Sequence, residues 1–414
     1  GFAAWQLAQL QQFITQGFPN RNHEQWKYTN VAALARQAFS LSQISSDDID
    51  VSALKLENAY TIVFVNGHYS ASLSNLVGLP EGIIITDVKT ALREQSISAA
   101  LYIPEVYQTP FSSLNAALLT NGLFITVPSG VRMSRPIHMI HIATDDNPVM
   151  NHLRHVINVG DDSEMVIFEE YVGRTQTPYF NNVVTQIKVG QNANVQCFKL
   201  QHEGKQAFHI ANTICQQQKD SQLLTMNVAT GARISRDDLN CALDQTGAHC
   251  RLLGLYYLDN ERHIDNHSRI DHSVAHCASE QNYKGVIDGK SRAVFNGRIV
   301  VHEDAQQTKA QQSNQNLLLA KTAEIDTKPE LEIYADDVQC AHGATVGKLD
   351  EQALFYLRSR GIDYAMAHHL LTCAFTNEIL EQIEQPALAA KLNQHVVAQL
   401  AAKYCCGDCH YDPV

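Results

Sequence analysis

Between about Thr120 and Gly347, short apolar runs alternate with small polar turns, and no segment has the period of a helix. The runs include Leu123-Phe-Ile-Thr-Val, His138-Met-Ile-His-Ile, Met165-Val-Ile-Phe, Val183-Val-Thr-Gln-Ile-Lys-Val, Val195-Gln-Cys-Phe-Lys-Leu and Leu252-Leu-Gly-Leu-Tyr-Tyr. The turns include Gly160-Asp161-Asp162-Ser163, Gly190-Gln191-Asn192-Ala193, Lys219-Asp220-Ser221, Gln245-Thr246-Gly247-Ala248 and Asp288-Gly289-Lys290-Ser291. They recur roughly every thirty residues, with one longer gap that has room for a further rung. Strands this short and this evenly punctuated build a sandwich, a barrel or a solenoid. The loose mix of Val, Ile, Leu, Cys and Phe fits a solenoid with imperfect repeats, although periodicity does not separate it from a large sandwich. Stacked rungs expose an edge at each end, and each end must be capped or paired.

The flanks differ. Residues 1 to about 120 read as mixed and mainly helical. Trp5, Leu7, Leu10, Phe13 and Ile14 recur at helical spacing, and Val31 to Phe39 is a second helix candidate. Thr61-Ile-Val-Phe-Val-Asn-Gly and Gly82-Ile-Ile-Ile-Thr-Asp are short strands, and Asp87 can cap a helix through Ala91 and Leu92. Trp26, beside Lys27 and Tyr28, reads as a buried aromatic anchor. After Asp350, helical spacing returns at Leu354, Leu357, Ile362, Ala365, His369, Leu370, Ala374, Ile379 and Leu380, broken at Gly361 and Pro386. The tail from Cys405 is expected to fray. The expected domains are therefore 1–120, 121–347 and 348–414.

The 414 residues suffice for a sizeable core. A net charge of −12, from 31 basic and 43 acidic residues, argues against nucleic acid and against an anionic membrane surface. No apolar run is long enough to span a bilayer. The start, Gly-Phe-Ala-Ala-Trp-Gln, lacks the pattern of an export signal, and Gly1 in place of Met points to a processed or cloned start. Ten scattered cysteines then fit a cytoplasmic protein with free thiols, most of them buried as small hydrophobes.

Three groups of residues could carry chemistry. Cys340 and His342 lie two apart on a strand-like run, so both point the same way, and a thiolate beside an imidazole suits iron, zinc or a cluster. A buried Cys and a surface His without a ligand is the plainer alternative. His263, Asp265 and His267 share one face of another run, with His272 following. They could bind a divalent metal or form an outward polar face held by hydrogen bonds. Cys406-Gly-Asp-Cys409-His410 matches a haem-attachment pattern, but its place at a terminus without an export signal favours a silent tail.

The block from Asp326 to Ile362 is the most specific wording in the chain. It reads as an acidic-aliphatic strand, then Cys340-Ala-His342-Gly343-Ala344-Thr345-Val346-Gly347, then Leu354-Phe355-Tyr356-Leu357-Arg358-Ser359-Arg360-Gly361-Ile362. This resembles the shared C-terminal block of the SufB/SufD family, the scaffold subunits of the SUF iron–sulfur assembly machinery. His342-Gly343-Ala344-Thr345 is D-type wording, where B-type subunits typically read His-Glu-Ala-Thr. B-type subunits are also longer and carry an essential Cys just upstream, where this chain has Lys321-Thr322-Ala323-Glu324. The resemblance is strongest from Asp259 to Phe375.

The resemblance implies a mainly β fold: a right-handed parallel β-helix core flanked by an N-terminal helical (α/β) domain and a C-terminal helical domain. It implies a non-enzymatic scaffold that joins SufB end to end through the C-terminal rungs. Leu354, Phe355, Tyr356, Leu357, Arg358, Arg360 and Gly361 would dock the SufC ATPase. Closure of two ATPases would open the interface, where a nascent cluster forms near His342 and a partner Cys, with Cys340 in the neighbouring family position. No cofactor is then permanently bound in the isolated chain. The cluster or iron is transient at the SufB interface, and the flavin associated with the family complex has no recognisable site here. Alone, the chain could form a homodimer.

Two rival readings remain. A β-helix enzyme acting on polysaccharide would use Asp265, Asp271, Arg269 and His267 in a surface groove. A purely structural adaptor would need no chemistry at His342. No phosphate loop, dinucleotide fingerprint, nucleophile elbow or ferredoxin-type cysteine set is present, so no catalytic residue is assigned.

Overall fold

The computed structural model describes residues 2–43, 49–94 and 101–405. Within them the turn-punctuated region winds into a parallel β-solenoid of about 7 turns. One sheet stacks Val149–Val159, Tyr179–Val189, Phe208–Gln217, Ile234–Leu243, His263–His272, Arg292–Val301 and Glu324–Ile333. The other stacks Ile137–Ala143, Glu164–Gly173, Asn194–His202, Gln222–Ala229, His249–Leu258, Ala278–Ile287, Thr308–Leu318 and Val338–Gly347. Every neighbouring pair in these two stacks is parallel. A large sandwich is thereby excluded.

The corners explain the sequence spacing. At the corner leading into the second sheet, Gly130, Asp162, Asn192, Asp220, Gly247, His276 and Gln307 all have φ between 55° and 77°. Asn, Asp and Gly adopt this left-handed conformation most readily. At six of these corners, all but Gly247, the residue hands its N–H to the next rung: Asp162 to the Gln191 carbonyl and Asn192 to the Lys219 carbonyl, both at 2.8 Å. His276 occupies the longer gap in the turn series, and no Gly, Asn or Asp marks it. Gly289, in the Asp288–Ser291 turn, sits instead at the opposite corner, as does Asn260.

Side chains alternate, so each strand supplies an inner and an outer face. The inner faces meet in one core that includes Ile157, Ile187, Cys215, Cys241, Cys250, Ile270, Cys277 and Ile299. Cys215 pairs in register with Cys241, both as free thiols. The outer faces are covered too, as parallel sheets require. Trp26, Val31, Leu34, Phe111 and Leu114 of the N-terminal region pack on Phe180, Phe208, Ile210 and Ile234. Ile379, Leu380, Ile383, Leu388, Leu392, Val396 and Leu400 of the C-terminal helices pack on Phe168, Phe198, Met226, Leu253, Leu255 and Tyr257 of the other sheet. Each fully buried large side chain contributes about 1.5–3 kcal/mol.

The two ends of the solenoid differ. Tyr60–Val65 adds in parallel to Ile137–Ala143 and folds back on His68–Asn75, while Ile84–Asp87 lies antiparallel on Leu123–Val127. The N-terminal region, though mainly helical elsewhere, thus closes one end with strands. Asp87 caps the helix Val88–Glu94, its Oδ1 accepting the Thr90 N–H at 3.0 Å. At the far end Glu324–Ile333 and Val338–Gly347 are the last strands of their sheets. The helices Glu351–Ser359, Tyr364–Leu380 and Pro386–Cys405 follow, split where Gly361 turns at φ 89° and where Pro386 opens the last helix.

Candidate functional site

Each strand of the last rung has one edge paired and none of the described residues on its other edge. Pro329, in Glu324–Ile333, has no N–H to offer there, a composition suited to an edge strand. In Val338–Gly347, Cys340 stacks on Ala310 and His342 on Gln312. Ala310 and Gln312 are buried on the inner face of their strand, so Cys340 and His342 both lie on the inner row at the open mouth. Cys340 is half-buried and His342 exposed. Burial pushes the Cys340 thiol up, against a lowering hydrogen bond from the Ala310 backbone. Cys340 is therefore a protonated thiol that must lose its proton to bind a metal. Two donors do not complete a four-ligand site, and among the described residues no three His, Cys, Asp or Glu side chains come together as one.

The second group is engaged differently. His263, Asp265 and His267 share the outer face, under the N-terminal region. Thr29 Oγ1 lies 2.8 Å from His263 Nε2 and donates to Asp265. Arg236 Nη1 donates to Asp265 Oδ2 at 2.9 Å, and His267 Nε2 lies 2.9 Å from Oδ1. Burial pushes Asp265 up, but His267 and Arg236 outweigh it and hold the carboxyl well below the usual range. Arg236 itself lies against Trp26, 3.8 Å from the ring centroid, so Trp26 is an anchor whose ring face also holds a cation. His272 faces inward and pairs with Ser279 Oγ at 2.8 Å, so it does not join the other three. Asp271 is held by Arg269 at 2.7 and 2.8 Å and by the Tyr107 hydroxyl at 2.8 Å. The acids that a polysaccharide-cleaving enzyme would need are thus buried and paired beneath the N-terminal region.

The helix Glu351–Ser359 starts at Asp350, whose Oδ1 accepts the Gln352 N–H at 2.8 Å. Leu354 and Leu357 are half-buried, whereas Phe355 is 74% and Tyr356 57% exposed. Arg358 and Arg360 are exposed as well, and the Arg360 guanidinium sits 5.3 Å from the Tyr356 ring centroid. Met366 and Leu370, also exposed, add apolar surface on the next helix. Cys406, Cys409 and His410 lie outside the described residues.

Spacing rules miss the polar rows inside the solenoid. Lys199 Nζ reaches Asp237 at 3.2 Å across the interior. Gln281 and Gln312 are buried in register and bonded to each other. The signal was parity: Gln281 falls on the same alternation as the inward Ser279 and Tyr283.

A capped solenoid with one open mouth, marked by Cys340 and His342, matches known proteins over nearly its whole length. Residues 141–375 match the SufBD core domain of SUF-system FeS cluster assembly, and residues 3–139 match the SufBD N-terminal region. The chain belongs to the SufBD family. It is 34% identical to an iron–sulfur cluster assembly SufBD family protein of Synechocystis, over 91% of this chain and 86% of that one. It is 32% identical to the iron–sulfur cluster assembly protein SufD of Escherichia coli, over 95% of this chain and 91% of that protein. A SufD of Bacillus subtilis is 27% identical over 86% of this chain and 84% of its own length. SufBD membership gives the chain a role in iron–sulfur cluster assembly and places its partnerships within the SUF system. Among the described residues no helix is long and apolar enough to cross a membrane.

Proposed function

We propose that this SufBD protein is a non-enzymatic, D-type scaffold subunit that works in the cytoplasm. Its open rung joins the matching rung of SufB, and its C-terminal helices bind the SufC ATPase. The observation that carries the reading is the pair Cys340 and His342 on the inner row of an unpaired terminal rung. An exposed strand edge is a template for another strand, and an obligate partner is one way to cover it. Joining two rungs would also bring a partner's thiolate to His342, supplying ligands that this chain lacks. The cluster is cargo here: iron and sulfide arrive, assemble between the subunits and leave. ATP is handled by the partner, because this chain has no phosphate loop.

The test is reconstitution of the three-subunit complex with iron and acid-labile sulfide counted. His342→Ala should leave folding and assembly intact and sharply reduce cluster formation. Full loading with His342→Ala would leave the structural-adaptor reading in its place.

A further inference from the structure

We propose that Gln312 is a positioning residue for His342: its side-chain carbonyl accepts a ring N–H of His342 and fixes which imidazole nitrogen faces the cluster. The inference rests on the reading of His342 given above.

Gln281, Gln312 and His342 occupy one inner row on three successive strands, each in register with the next. In-register neighbours on parallel strands lie about 4.8 Å apart. Gln312 Nε2 donates down the row to Gln281 Oε1 at 2.7 Å. Gln281 Nε2 in turn donates to Ser268 Oγ, on the opposite sheet. This is a glutamine ladder anchored at its inner end. A primary amide that donates one way along a row directs its carbonyl the other way, here toward His342. Gln312 Oε1 is buried and has no hydrogen-bond partner, and the residue is 4% exposed. A buried acceptor left unpaired is costly, so an outward donor in the last rung answers a need already present.

Gly297 makes room for this amide. A Cβ at that position would lie 2.3 Å from Gln312 Nε2. The ladder is therefore held from the side as well as from its end.

The chemistry follows from imidazole. A ligating His presents one nitrogen to the metal while the other donates its N–H, and the acceptor of that N–H sets tautomer and ring orientation. An amide carbonyl is a neutral acceptor. It orients the ring without the added basicity that a carboxylate confers, which suits a ligand that must release its cargo.

The test uses the full chain with its histidine rings labelled with nitrogen-15, and the His342 signals identified by their loss in His342→Ala. In the parent chain one tautomer should dominate at His342. Gln312→Met, similar in length but without an acceptor, should give a mixture, and Gln312→Glu should restore a single tautomer. An unchanged tautomer in Gln312→Met overturns the proposal. If Gln312→Met does not fold, Gly297→Ala displaces the same amide without altering it, and it must shift the same signals or the proposal fails. In the three-subunit complex, Gln312→Met should also lower affinity for ferrous iron about tenfold or more. A tautomer shift with unchanged iron affinity would support the Gln312 contact and count against His342 as a ligand, so the two readings fail separately.

Discussion

Lys391, on the last helix, reaches Glu170 on the outer face of the solenoid, its Nζ 3.1 Å from Oε2. Glu170 also accepts from His138 Nε2 at 3.0 Å and faces His202 Nε2 at 3.1 Å. His138 accepts the Leu56 N–H through Nδ1 at 3.1 Å, which fixes a neutral tautomer with its proton on Nε2. Burial, outweighing Glu170, likewise pushes its pKa down. A neutral His138 cannot balance the carboxylate, so Lys391 is the cation that does so from the helical domain. Lys391→Met should therefore loosen that domain. Removing one partner of a buried pair costs about 3–5 kcal/mol, and Lys391, partly exposed, should fall near the lower end. Thermal unfolding and limited proteolysis of the C-terminal helices would register the change. An unaltered cleavage pattern and melting temperature would sink it.

The histidines also predict an acid-sensitive fold. Burial pushes His155 and His272 down to about 4 and His152 to about 3. Burial and the neighbouring His202 push His395 down to about 4. In the unfolded chain these imidazoles return to about 6.5. Between pH 6.5 and about 4 the unfolded state then binds more protons, so stability falls as pH falls through that window. Each such group contributes at most about 1.4 kcal/mol per pH unit. Asp265 acts in the same direction lower down. Its depressed pKa stabilises the fold above its unfolded value near 4, and that contribution is lost on further acidification. Urea midpoints at pH 7.5, 6 and 5 should decline steadily, and a flat series would count against neutral buried histidines.

How far the sequence reveals this molecule depends on how local each cause is. Strand and turn alternation is readable because left-handed corners favour Asn, Asp and Gly, as at Asp162, Asn192 and Gly247. His276 hides its rung because the residue at that corner is not the Gly, Asn or Asp that marks the corners at Asp162, Asn192 and Gly247. The helix starts at Asp87 and Asp350 are readable for the same local reason. Cys340 and His342 share a face by two-residue spacing alone, but their place at an open mouth needs the whole stack. Asp265 is beyond any local rule, since its partner Thr29 lies 236 residues away. Strand parity alone separates His272 from His263, Asp265 and His267.

Cys340 and His342 should differ in their response to substitution. His342 is exposed at the mouth, whereas Cys340 is half-buried with its thiol pushed up by burial. Cys340→Ala should therefore reduce cluster loading less than His342→Ala, if the partner supplies the essential thiolate. If Cys340 does ligate, iron binding must release its proton and should tighten as pH rises. Cys406→Ser with Cys409→Ser should change loading little. Iron and sulfide counts on each reconstituted variant decide the order, and a loss at Cys340→Ala equal to that at His342→Ala would make both residues ligands.

The helix Glu351–Ser359 offers the last prediction. Its half-buried Leu354 and Leu357 hold it to the domain, while Phe355 and Tyr356 face solvent beside Arg358 and Arg360. Exposed aromatics flanked by arginines are the residue types that dominate binding energy at protein interfaces. Phe355→Ala should leave the melting temperature unchanged, because little of the ring is buried in this chain. It should weaken SufC binding, and a truncated hot-spot residue typically costs about 2 kcal/mol or more. Arg358→Glu with Arg360→Glu should weaken binding further and leave the β-rich circular dichroism spectrum intact. Titration of purified SufC against each variant measures both effects. Unchanged affinity in both would count against this helix as a docking element.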